Sequence, residues 1–189
     1  MKVIFDFDDV LFNNTKQFKK RMFSCLAKAG IPHDIALEYY KKVREREFSL
    51  KDFISHLFVT KKIKGTNVQD VYEDIVSKCK NFVNTELVKI VKKMGKKNCY
   101  IITNGDQEFN LEKIKRSGMA TSFGQIYVVA GSKKEIIEKI CRSNKNEKII
   151  FVDDKNKFLD DLDFKKCPNL KTILYDKRGL VKLKAEIGK

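Results

Sequence analysis

The segment Val3-Ile4-Phe5-Asp6-Phe7-Asp8-Asp9-Val10-Leu11-Phe12 is an apolar, strand-forming run broken by three carboxylates. Carboxylates crowded at the end of a strand repel one another. Their charge must be offset by a divalent cation, by a basic side chain or by protonation of one member. A metal site is the first expectation. Three later segments also end or follow apolar runs with reactive side chains: Thr103-Asn104-Gly105, Gly131-Ser132-Lys133-Lys134 and Asp153-Asp154. If those runs are parallel strands, their carboxyl ends lie along one edge of a sheet, where ligands of such sheets gather.

That collection suits phosphoryl transfer. A phosphomonoester dianion approaches a carboxylate only if cations screen the two charges. Acids from two strand ends can hold Mg²⁺, which takes one or two protein carboxylates together with water and phosphate oxygens. The Thr103 hydroxyl and nearby backbone N–H groups suit phosphate oxygens, and a lysine neutralises what charge remains. Taken singly, each piece has a plainer role as a turn, a helix cap or a solvated lysine. The weight lies in their combination and order.

The elements that must position these residues are legible as hydrophobic periodicity. Residues 14 to about 94 read as helices, with apolar stripes at Phe18, Met22, Cys25 and Leu26, at Ile35, Leu37, Tyr40 and Val43, and at Phe53, Ile54, Leu57 and Phe58. Two more follow, at Val68 to Cys79 and at Leu87 to Met94, the last stopping at Gly95. Ser49-Leu50-Lys51-Asp52 resembles a capping box for the third of these. From Asn98 the pattern becomes strand, helix, strand, with strands near 98–103, 125–129, 148–152 and 170–175. The helix after Thr103 is read as carrying Phe109, Leu111 and Ile114. Alternation of this kind predicts an α/β fold, a Rossmann-like parallel sheet with helices on both faces. The expected division is a catalytic core of residues 1–13 plus 86–189 and a small α-helical cap at 14–85. The basic tail from Asp176 is expected to be peripheral.

The 189 residues suffice for one domain with an insertion. No apolar stretch approaches the ~20 residues of a membrane span, and no leader pattern is evident, so a cytoplasmic protein without a membrane partner is expected. Five scattered cysteines without a Cys-x-x-Cys pair read as reduced thiols, and His33 and His56 fit no ligand pattern. The net charge of +15 invites nucleic acid as a partner. The excess is nearly all Lys and is spread along the whole chain, however, which favours a solvated surface over a reader of phosphates and bases.

The four motifs, in this order from Asp6 to Asp154, resemble those of the haloacid dehalogenase superfamily. Asp6 and Asp8 match its Asp-x-Asp, Thr103 its second motif, Lys133 its lysine (with Lys134 adjacent) and Asp153-Asp154 its acidic pair. The resemblance implies Asp6 as nucleophile, forming an aspartyl-phosphate, and Asp8 as the acid that protonates the leaving oxygen and then activates water. It implies Mg²⁺ held by Asp6, the Asp8 backbone carbonyl and Asp153, with Asp154 in or beside the ligand set. Thr103, Asn104 and Lys133 would bind phosphate. An aspartate at position 8 sets the chain apart from the dehalogenases and transport ATPases of the superfamily. It favours a phosphatase, with a phosphomutase second, acting on a small phosphorylated metabolite of the nucleotide or sugar phosphate class. The rival readings are a phosphatase of nucleic-acid ends and a non-catalytic binding protein of the same fold. One departure is Asp9, which stands where the superfamily commonly has Gly.

Overall fold

The computed structural model describes residues 1–44 and 48–188. Five parallel strands form a single sheet: β1 (Lys2–Phe5), β2 (Cys99–Asn104), β3 (Gln125–Val129), β4 (Ile149–Asp153) and β5 (Leu170–Leu174). Their spatial order is β3-β2-β1-β4-β5. β1 is central, Phe5 lying beside Ile101 of β2 and Val152 of β4. The strand order reverses between β1 and β4, the place where an open α/β sheet leaves a crevice beyond its strand ends.

The strands are apolar on both faces because helices cover both. Val3, Phe5, Ile101 and Val152 belong to one core cluster, whereas Ile4, Ile102, Ile149 and Phe151 belong to the other. Helices α5 (Thr85–Met94), α6 (Gln107–Arg116) and α9 (Gly179–Ile187) contribute Leu87, Ile114 and Leu183 to the first face. On the second, α7 (Lys134–Ser143) and α8 (Asn156–Asp160) contribute Ile137 and Phe158. The first cluster continues without a break into α1 (Thr15–Lys28), α2 (His33–Val43), α3 (Leu50–Lys61) and α4 (Val68–Val76), the helices inserted between β1 and β2. The caps follow the sequence signals. Ser49 Oγ accepts from Asp52 N–H at 3.3 Å at the start of α3, and α5 ends at Gly95 with φ +81°.

Two expectations fail. The tail is not peripheral: it forms α9, which buries Leu183 completely and sets Glu186 between Lys148 and Lys171 at 2.7 Å from each. Those two ammonium groups hold the Glu186 carboxyl down to about 2. In α6, Leu111 faces solvent at 40 % exposure, and the buried face carries Asn110 and Lys113 beside Phe109 and Ile114.

All five cysteines are buried and none is in a disulfide. The histidines pack against rings, His33 edge-on to Phe23 and His56 stacked on Tyr39 at 3.9 Å between centroids. No helix among the described residues is long and apolar enough to cross a membrane.

Candidate active site

β1 delivers Asp6 to the crevice and β4 delivers Asp153. The Asp6 N–H donates to Val152 O at 2.9 Å, so the sheet register continues to the first aspartate. Beyond it the chain folds back on itself, Asp9 N–H donating to Phe12 O and Phe12 N–H to Phe7 O. That reversal places Asp9 at φ +59°, in the left-handed region that side chains rarely adopt. Here is the physical reason Gly suits the position. Asp tolerates it better than most residues, and its carboxylate accepts a hydrogen bond from Thr15 Oγ1 at the start of α1.

Lys133, the N-terminal flanking residue of α7, lies between the strand ends. Its ammonium donates to Asp6 Oδ1 at 2.7 Å and to Asp153 Oδ2 at 2.6 Å. All three residues are at most 5 % exposed. Lys134 makes no such contact; its backbone N–H donates instead to Ser132 Oγ. Asp153 is fixed further by the Lys155 N–H, 2.9 Å from its other oxygen. Burial pushes the Asp6 carboxyl up to about 7, Lys133 opposing this and the charge of Asp153 reinforcing it.

Three carboxylates thus face one ammonium. Asp6, Asp153 and Asp154 each present an oxygen within 4.8 Å of the others. Burial raises the Asp154 carboxyl, and its Oδ1 is buried without a hydrogen-bond partner. An all-oxygen set with surplus negative charge and an orphaned acceptor is the donor set a hard divalent cation takes. The residues present fit Mg²⁺.

Thr103 and Asn104 end β2 beside this cluster's central strand. Thr103 is buried, and the Asn104 side-chain amide is spent on the backbone, donating to Val129 O at 3.1 Å and Gly131 O at 2.8 Å. Asn104 therefore pins the loop that leads to Lys133, leaving its main-chain N–H as what it can offer a phosphate. Gly105 follows with φ +130°, and a Cβ there would meet Asn110 Nδ2 at 2.9 Å.

Asp8 is not part of the Lys133 cluster. It points the other way, toward a lysine that sequence reasoning missed. Lys113 of α6 donates to Asp8 Oδ1 at 2.7 Å and Oδ2 at 2.6 Å. Its ammonium lies over the Phe109 ring at 4.8 Å, with Phe7 and Phe12 at 5.7 and 5.8 Å. The available signal was its spacing: Lys113 is four residues after Phe109 and adjacent to Ile114, on the buried face of the helix.

A model of haloacid dehalogenase-like hydrolases matches residues 3–162. The chain belongs to that family. Its fold is shared by a haloacid dehalogenase-like hydrolase from Burkholderia xenovorans LB400, at TM-score 0.70 and 17 % identity over 94 % of this chain and 86 % of that one. The HAD-hydrolase YfnB from Bacillus subtilis, a structure bound to magnesium, matches at TM-score 0.58 and 14 % identity over 100 % of this chain and 98 % of YfnB. A HAD phosphatase from Thermococcus onnurineus matches at TM-score 0.56 and 15 % identity over 100 % and 98 %. No curated protein matches by sequence. As a member of this family the chain is a haloacid dehalogenase-like hydrolase, and the matched residues include every position from Asp6 to Asp154.

Proposed function

We propose that this haloacid dehalogenase-like hydrolase is a Mg²⁺-dependent phosphatase that cleaves a small phosphomonoester through an aspartyl-phosphate. The observation that carries this reading is the buried cluster at the strand-order reversal: Asp6, Asp153 and Asp154 around the single ammonium of Lys133. Asp6, Asp153 and Asp154 would hold Mg²⁺, with the Asp8 backbone carbonyl beside them. When bound, the cation screens the repulsion between the phosphate dianion and the carboxylates.

The chain's own residues supply the rest. Asp6, fixed by the β1 ladder, attacks phosphorus, and the bond from phosphorus to the leaving oxygen breaks. Asp8 gives that oxygen its proton, later takes one from the water that hydrolyses the aspartyl-phosphate, and so returns to its starting state. Both Asp8 oxygens accept from Lys113, so one of these bonds must open before Asp8 can serve the leaving group. Lys133 has three donors and spends two on Asp6 and Asp153, which leaves one for phosphate. Thr103 and the Asn104 N–H complete the phosphate seat. Residues 14–85 act as the cap, closing over the site and excluding water during phosphoryl transfer.

Dehalogenation is the competing chemistry within the family. Its leaving halide needs no proton, so the second acid at Asp8 favours an ester oxygen as the leaving group. The test is phosphate release from a panel of metabolite monoesters with and without Mg²⁺, alongside halide release from 2-haloacids. Phosphate release that requires Mg²⁺ and vanishes in Asp6→Asn supports the reading; halide release without phosphate release overturns it.

A further inference from the structure

A cleft of about 240 Å³ opens beside the reaction centre, and Asp8 lies in its wall. Asp8 is also the residue placed to protonate the leaving oxygen, so this cleft is where the leaving group of an ester on Asp6 emerges. Below the ~300–1,000 Å³ of pockets for drug-sized ligands, it suits one small organic group rather than a nucleic-acid strand or a peptide.

Its lining has two characters. One wall is aromatic: Phe18 of α1, Tyr40 of α2, Phe48 ahead of α3 and Phe109 of α6. These rings touch in sequence, Tyr40 to Phe48 at 5.4 Å, Phe48 to Phe109 at 6.0 Å and Phe109 to Phe18 at 6.3 Å between centroids. The other character is cationic. Lys19, Arg44, Lys113 and Lys155 line the cleft against the two carboxylates of Asp8 and Asp9. Asp8 is matched by Lys113, and Lys155 acts on the Asp154 carboxyl. Lys19 and Arg44 make no ion pair among the described residues; the Lys19 ammonium hangs over the Tyr40 ring at 5.8 Å.

The aromatic wall offers a sugar's hydroxyl groups only the Tyr40 hydroxyl, the other polar groups of the cleft being Thr15, the two carboxylates and the four cations. The rings meet one another edge-on or tilted, at 78°, 70° and 34°, and an aromatic wall of this kind takes a flat ring by face or edge contact. Cations at its rim that make no ion pair among the described residues suit a further negative group, Arg by its planar fork. We propose that the cleft selects a phosphomonoester whose leaving group joins a flat ring to a second anionic group, the chemistry of a nucleoside bisphosphate. This rests on the phosphatase reading and adds to it the class of ester.

Four probes separate the two features: adenosine 3′,5′-bisphosphate, adenosine 5′-monophosphate, 3-phosphoglycerate and glycerol 3-phosphate. The bisphosphate should give the highest kcat/KM, exceeding the monophosphate by about tenfold, the scale of a hydrogen bond to a charged group. Arg44→Ala and Lys19→Ala should shrink that ratio several-fold, whereas Tyr40→Ala should shrink the ratio of either adenosine ester to glycerol 3-phosphate. Titration of Asp6→Asn protein with the bisphosphate reads the cleft without turnover. Tight binding that Arg44→Ala weakens, with no phosphate released by the wild type, keeps the cleft assignment and sinks the phosphatase. Phosphate release with equal preference for all four probes, or ratios unmoved by Arg44→Ala and Tyr40→Ala, keeps the phosphatase and overturns the cleft assignment.

Discussion

Two buried lysines of this protein sit in nearly the same surroundings and answer different problems. Lys133 is 1 % exposed, holds two aspartate oxygens at 2.7 and 2.6 Å, and has its ammonium 4.4 Å from the centroid of Phe158. Lys113 is 5 % exposed, holds two aspartate oxygens at 2.7 and 2.6 Å, and has its ammonium 4.8 Å from the centroid of Phe109. The difference is the charge count. Both oxygens at Lys113 belong to Asp8, so the pair is balanced one to one. Those at Lys133 belong to two residues, and Asp154 adds a third carboxylate. A balanced buried pair is complete as it stands, whereas three acids around one buried ammonium, with the exposed Lys155 acting on Asp154, leave room for a divalent cation.

The largest effect expected is chemical. Asp6→Asn removes the proposed nucleophile and one proposed metal ligand while keeping the hydrogen bond with Lys133 feasible. Phosphate release should fall by about 10³-fold or more, with the fold retained by circular dichroism. A residual rate within tenfold of wild type would mean that some other group forms the covalent bond.

Next comes a pair of substitutions aimed at the comparison itself. Lys133→Met leaves buried carboxylates facing one another, and chelator-treated protein should lose about 3–5 kcal/mol in denaturant unfolding. Added Mg²⁺ should return much of this, because it binds the folded state alone, about 2.7 kcal/mol at a hundred times its dissociation constant. Lys113→Met strands a single half-buried carboxylate and should cost about 2–3 kcal/mol, with no larger recovery in Mg²⁺ than wild type shows. If Mg²⁺ restores Lys113→Met as fully as Lys133→Met, the charge count does not mark the metal site.

Why one lysine was legible and the other was not follows from where each sits. Lys133 comes four residues after Val129, the end of an apolar run that reads as a strand, and strand ends of a parallel sheet point to one edge. Asp6, Thr103 and Asp153 were legible on the same ground, as were the sheet and the order of its helices. Lys113 lies inside a helix with five charged residues in its ten positions from Gln107 to Arg116. There the burial of a given lysine depends on how the helix is rotated against the helices inserted between β1 and β2, which local sequence does not settle. Of the expected stripe Phe109 and Ile114 are buried and Leu111 is not, Lys113 was passed over, and two of the rings that bury it, Phe7 and Phe12, come from a distant segment. The tail was misread for a related reason. Its lysines dominate its composition, but Leu180, Leu183 and Ile187 recur at helical spacing and pack on the first core face.

A smaller effect asks whether Lys113 serves Asp8 by charge or by packing. Replacing both partners, Lys113→Met with Asp8→Leu, removes the stranded carboxylate and fills the space among the rings. The double variant should recover most of the stability lost in Lys113→Met, with a coupling of about 1–3 kcal/mol. It should remain inactive, since Asp8 is the proposed acid. Additive losses would show that Lys113 is held by its rings alone.

The finest test is the pH dependence of the metal-free protein. A carboxyl raised to about 7 in the folded state, against about 4 when unfolded, keeps its proton longer when folded. Between those values the native state binds more protons than the unfolded one, so stability falls as pH rises and levels off above about 7. For one proton the slope is at most about 1.4 kcal/mol per pH unit. Asp154, also raised by burial, acts in the same direction, whereas Glu186, held down to about 2, acts only under more acid conditions. Unfolding free energy in chelator, followed from pH 5 to 8, should therefore decline for wild type and decline less for Asp6→Asn. A slope of equal size in Asp6→Asn would place the excess charge elsewhere than in the Lys133 cluster. The contrast between the two lysines would then rest on geometry alone.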